Sequence, residues 1–103
     1  MKILFDQGTP APLRRFSQSY EVITASEKGW DDLSNGDLIT AAERDGFEAL
    51  VTTDRNLRYQ QNLSARKIAI AVILHSAWPL LQQRALEVSN AIAALKPGEF
   101  FEL

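Results

Sequence analysis

Apolar positions in this chain come in short continuous runs, separated by stretches of helical spacing and by polar turn residues. Lys2-Ile3-Leu4-Phe5 is too short for a helix and is bounded by Asp6-Gln7-Gly8, so it reads as a first strand. Thr9-Pro10 then marks a helix start, with the Thr9 hydroxyl as cap and proline tolerated at the first helical position. Leu13 and Phe16 form the buried side of that helix, with Arg14 and Arg15 beside them. Glu21 to Ala25 alternates as a second strand, and Ser26 to Trp30 reads as one helical turn and a loop.

Ser34-Asn35-Gly36-Asp37 opens the next helix in the manner of a capping box, with Asp at the fourth place. Leu38, Ile39, Ala41 and Ala42 supply its apolar side, and Gly46 ends it as a C-cap. Phe47 to Thr53 is nearly all apolar and suits a central strand buried on both faces. Asp54 to Lys67 is polar and predicts a short helix with flanking loops. Ile68 to Leu74 is a fourth buried strand. Trp78, Leu81, Ala85, Val88, Ile92 and Leu95 recur at steps of three and four, the stripe of a helix packed on a sheet. Pro79 sits in its first turn, Pro97-Gly98 stops it, and Phe100 to Leu103 predicts a short edge strand.

Strands alternating with helices predict an α/β fold: one doubly wound domain over residues 1–103, with a mostly parallel sheet of four to five strands and helices on both faces. Composition narrows the chemistry. The 103 residues are 46% hydrophobic and 23% charged, ordinary for a globular domain. With no Cys and one His, thiolate and imidazole metal clusters are excluded, and any metal is a hard cation on oxygen ligands. The net charge of −2 offers no global basic field for nucleic acid, so RNA contact requires a local patch. No signal peptide or membrane span is legible, and a cytoplasmic location is expected.

Two strands end directly on an acid: Phe5 on Asp6, and Thr53 on Asp54. In a parallel sheet the carboxyl ends of strands face the ligand crevice, so these acids can meet there. Each has a plainer explanation. Asp6 can turn the chain, Asp54 can cap a following helix, and Asp37 can offset a helix dipole. After Asp54 come Arg55, Asn56, Arg58, Tyr59, Gln60, Gln61 and Asn62, which can bind phosphates and stack a base, or form a solvated helix face. Arg14 and Arg15 can extend that patch. His75 and Ser76 fall on the same rim, but no paired nucleophile accompanies them. Trp30 and Trp78 read as packing anchors.

The ordered set Ile3-Leu4-Phe5-Asp6, Leu33-Ser34-Asn35-Gly36-Asp37 and Leu50-Val51-Thr52-Thr53-Asp54-Arg55-Asn56 resembles the PIN-like proteins grouped as domain of unknown function 5615. These are short bacterial relatives of PIN-domain ribonucleases, and the similarity runs from Met1 to Leu74. The resemblance implies a Mg²⁺- or Mn²⁺-dependent hydrolase that cuts single-stranded RNA. It further implies the toxin role in a toxin–antitoxin pair, neutralised by a small cognate antitoxin. Asp6, Asp37 and Asp54 would be both the metal ligands and the catalytic residues. Gln7, Arg55, Asn56, Arg58 and Tyr59 would contact substrate. Where several relatives carry an acid, this chain has Gln7 and Asn56. That substitution supports the alternative of a non-catalytic PIN-like module binding a partner protein or nucleic acid. A receiver domain fits less well, because Asp6 is followed by Gln7 and no lysine follows Leu74 closely. Trp78 and the Ile92–Leu95 end could also serve a homodimer.

Overall fold

The computed structural model describes residues 1–57 and 66–103. Among them, five strands form one sheet in the order β2-β1-β3-β4-β5, every pair parallel. The strands are β1 (Lys2–Phe5), β2 (Glu21–Thr24), β3 (Ala49–Thr52), β4 (Ala69–Val72) and β5 (Phe100–Glu102). The α-helices described are α1 (Asn35–Arg44), α2 (Trp78–Leu81) and α3 (Ala85–Ala93). No helix among the described residues is long and apolar enough to cross a membrane.

Side-chain alternation along each strand builds two cores, because successive residues point to opposite faces of the sheet. Ile3, Phe5, Ala49, Val51, Ala69 and Ala71 face one cluster, with Leu81, Ala85, Val88 and Ile92 of the C-terminal helices and Leu13. Leu4, Leu50, Ile70 and Val72 face the other, with Leu38, Ile39 and Ala42 of α1 and Leu57. β3 and β4 are buried at all eight positions, four in each, which accounts for their continuous apolar runs. The small side chains of Ala49, Ala69 and Ala71 leave room for Val88 and Ile92 to pack close to the sheet.

Most predicted elements are present, with differences at their ends. Ser34 caps α1 by accepting from Asp37 N–H at 3.4 Å, and Gly46 follows with φ +82°, a conformation that favours glycine. Pro10 to Phe16 departs from the sequence reading: Ala11–Phe16 is a 3₁₀ helix with no side-chain cap. The Thr9 hydroxyl instead donates to the Val51 carbonyl at 2.9 Å, so it ties the loop to the neighbouring strand. The long C-terminal helix is also interrupted. Gln82–Arg84 forms a 3₁₀ turn between α2 and α3, over three residues none of which is buried. The stripe still reaches the core, since Leu81, Ala85, Val88, Ile92 and Leu95 are all buried.

The sheet reverses its winding between β1 and β3. β2 lies outside β1, whereas β4 and β5 extend from β3. Ligands of open parallel sheets bind outside the carboxyl ends at such a reversal.

Candidate functional site

Asp6 and Asp54 follow the two strands that flank this reversal. Phe5 pairs with Val51, so Asp6 emerges beside Thr52, the last residue of β3. The Thr52 side chain is fully buried, and its hydroxyl donates to Asp6 Oδ2 at 2.8 Å. The Thr52 hydroxyl oxygen also accepts from Asp54 N–H at 3.2 Å. Thr52 therefore links the two acidic loops through one atom.

The remaining carboxylate oxygens are also held. Asp6 Oδ1 accepts from Gln7 N–H at 2.7 Å. Asp54 Oδ1 accepts from Asn56 N–H at 2.9 Å, which closes a side-chain turn of the Asx type. Asp54 Oδ2 accepts from Asn35 Nδ2 at 2.7 Å, so the first turn of α1 reaches the strand end through its amide. Each oxygen carries two lone pairs, so one hydrogen bond leaves capacity for another partner. Both aspartates are partly exposed.

The loop between β1 and the 3₁₀ helix lies tight against β3. Asp6 N–H donates to the Val51 carbonyl at 2.8 Å, and Thr9 N–H to the Asp6 carbonyl at 2.9 Å. Gly8 comes so close that a Cβ there would stand 2.4 Å from Thr53 Oγ1. A side chain at position 8 would force the Thr53 side chain or the loop to shift.

The other expected site residues separate into groups. Asp37 is exposed on α1, and its N–H is the group that Ser34 caps. Among the described residues, no set of three or more His, Cys, Asp or Glu is placed to hold a metal ion. Asp6, Asp37 and Asp54 thus do not form one such set, and the structure joins the first and third through Thr52. What remains on this rim is two hydrogen-bonded carboxylates, oxygen donors of the kind that hard, hydrated cations take.

Arg55 donates through Nη2 to the Leu74 carbonyl, bracing the loop after β3 against the end of β4. Asn56 and Gln7 are exposed beside the acids. Arg58, Tyr59, Gln60, Gln61 and Asn62 lie outside the described residues. Arg14 bonds the Val22 carbonyl at 2.7 Å and pairs with Glu27 at 2.9 Å, which makes it a brace for the β2 edge. Trp30 packs edge-on against Phe47, and Trp78 packs against Phe16, consistent with their reading as anchors.

Thr52 and Asn35 are the members that sequence reasoning did not single out. The signal for Thr52 was a hydroxyl two residues before a strand-end acid, but its partner lies 46 residues away. A pocket of about 520 Å³ lined by Glu43, Phe47, Glu48, Lys67, Ile68 and Pro97 opens near the amino ends of β3 and β4. Its position, away from the strand-end acids, sets it apart from this site. Comparison of the chain with protein-family models, with curated proteins and with solved structures gave no match.

Proposed function

We propose that this chain is a PIN-like, Mg²⁺- or Mn²⁺-dependent ribonuclease acting on single-stranded RNA. The observation that carries the reading is the Asp6–Thr52–Asp54 linkage across the reversal of the sheet. The motif order that resembles PIN-like proteins supports it. The toxin role, with a small antitoxin protein covering the acidic rim, rests on that resemblance alone.

In this reading Asp6 and Asp54 hold the ion through lone pairs not engaged by Thr52, Gln7, Asn35 or Asn56. When bound, such an ion polarises a phosphoryl oxygen and lowers the pKa of its water. Thr52 and Asn35 fix the direction of the two carboxylates, as partners of metal-binding carboxylates generally do. Asn56 and Gln7, neutral and exposed, can donate to phosphate oxygens without adding negative charge.

The test is cleavage of a generic single-stranded RNA with Mn²⁺ by the wild type, Asp6→Asn and Asp54→Asn. Each substitution is expected to lower the rate by about 100-fold or more, beyond the effect of losing a supporting partner. Equal cleavage by all three proteins removes both residues from the mechanism.

A second reading, a non-catalytic module of the same fold, is favoured by one feature. All four carboxylate oxygens already accept a hydrogen bond within the chain. Calorimetric titration separates the two: absence of heat with both Mg²⁺ and Mn²⁺ favours the module.

A further inference from the structure

Beyond Asp54 the same rim of the sheet continues past the end of β4 to a hollow. The bond from Arg55 to the Leu74 carbonyl ties the β3 loop to the end of β4, and His75 follows next along the edge. There a hollow of about 290 Å³ is lined by His75, Leu80, Leu81, Gln83 and Arg84. Leu81 is buried and belongs to the core, whereas Leu80 leaves 61% of its surface to solvent.

We infer that this hollow is a nucleotide subsite, taking one base and its phosphate from an RNA strand held at Asp6 and Asp54. The inference rests on the ribonuclease reading and names where the strand continues. Size is the first argument. About 290 Å³ is at the lower bound for small-molecule pockets, the scale of one nucleotide unit.

Chemistry is the second argument. The exposed Leu80 side chain offers an apolar surface to the face of a base. The Gln83 amide carries both donors and an acceptor, as the edge of a base requires. Arg84 and His75 supply donors to a phosphate, and a neutral imidazole still has one N–H to give. Arg84 bonds Glu87 only at 3.3 and 3.5 Å, with both side chains exposed. Exposed pairs of this kind contribute at most about 1 kcal/mol, so a phosphate can draw the guanidinium away. The larger pocket near the amino ends of β3 and β4 is a poor competitor, because Glu43 and Glu48 line it and repel phosphate.

The single histidine makes the test direct, since its ring protons give one set of resonances. Uridine 5′-monophosphate, which has no internucleotide bond to cut, is titrated into the metal-free full chain and into Asp54→Asn, which separates the hollow from the strand-end acids. The His75 resonances are expected to shift saturably in both, with a Kd on the order of 1 mM. Arg84→Gln is expected to weaken binding about tenfold through loss of a charged donor, and inorganic phosphate to bind more weakly than the nucleotide. Leu80→Gln, at an exposed position, is expected to weaken the nucleotide but not inorganic phosphate. Absence of a saturable shift overturns the subsite. Equal binding of phosphate and nucleotide overturns it also, leaving a simple anion site. A titration unchanged by Arg84→Gln and Leu80→Gln overturns it as well. Failure of RNA cleavage with the nucleotide shift intact instead overturns the ribonuclease reading.

Discussion

The hydroxyl of Thr52 lies 2.8 Å from Asp6 Oδ2 while accepting the N–H of Asp54. One buried oxygen thus satisfies an acceptor on one strand end and a donor on another. Thr52→Val keeps the shape and removes both bonds. It is expected to destabilise the fold by about 1 kcal/mol, because the partly exposed Asp6 carboxylate and Asp54 N–H can turn to water in place of the lost hydroxyl. Denaturant unfolding checks this: the midpoint falls and the slope is unchanged. Thr52→Ser, which keeps the hydroxyl, is expected to lose less.

Gly8 and Thr53 offer a second test of how closely the loops sit. Gly8→Ala places a Cβ 2.4 Å from Thr53 Oγ1, a separation that forces movement. The expected loss is about 1–3 kcal/mol, typical of overpacking. With Thr53→Ala also present, the next contact is Thr53 Cβ at 3.7 Å, ordinary van der Waals distance. The double variant is therefore expected to be more stable than Gly8→Ala alone. A double-mutant cycle on unfolding free energies measures that coupling, and additive losses would contradict the geometry.

Asn35 donates to Asp54 from the first turn of α1. Asn35→Asp replaces that donor with a like charge beside Asp54. Without metal the variant is expected to be less stable by about 1–3 kcal/mol, through the lost bond and the new repulsion. If Asp54 binds a divalent ion, Mn²⁺ restores more stability to this variant than to the wild type, by preferential binding to the folded state. Thermal melts with and without Mn²⁺ measure the difference. Equal gains in both proteins would argue against an ion beside Asp54.

Glu43 governs a pH dependence away from the site. Burial raises its pKa, but hydrogen bonds from Arg66 and from the backbone N–H groups of Lys67 and Ile68 outweigh burial and hold it below the ordinary 4.5. A carboxyl depressed in the folded state stabilises fully above its unfolded pKa and loses that contribution as pH falls through the folded value. Glu43→Gln is expected to cost about 1–3 kcal/mol at neutral pH, through weakened charge-assisted bonds. The gap between variant and wild type should close as pH drops below 4.5. Unfolding free energies measured from pH 7 downward check the sign.

Much of the architecture was legible along the chain because its causes are local. β3 and β4 announce themselves as apolar runs, since a strand covered on both faces has no polar side to show. Ser34 and Gly46 marked the limits of α1 through capping chemistry that depends on a few neighbouring residues. The break at Gln82–Arg84 was not legible, because the helical stripe passes through it without a missing apolar position. Thr9 was read as a cap because that is the local use of its hydroxyl. Its actual acceptor, the Val51 carbonyl, is 42 residues away.

By itself the sequence determined the alternation of strands and helices, and that acids stand within two residues of the ends of β1 and β3. Both follow from periodicity and turn chemistry over a few residues. Only the tertiary structure decided which groups meet. Parallel register sets Phe5 against Val51, so Asp6 falls beside Thr52 and the Thr52 hydroxyl reaches both acids. It also brings the Asn35 amide, and not the Asp37 carboxylate, into hydrogen-bond contact with Asp54. Such contacts depend on strand order and on a shift of a single residue, which reverses the face every side chain takes.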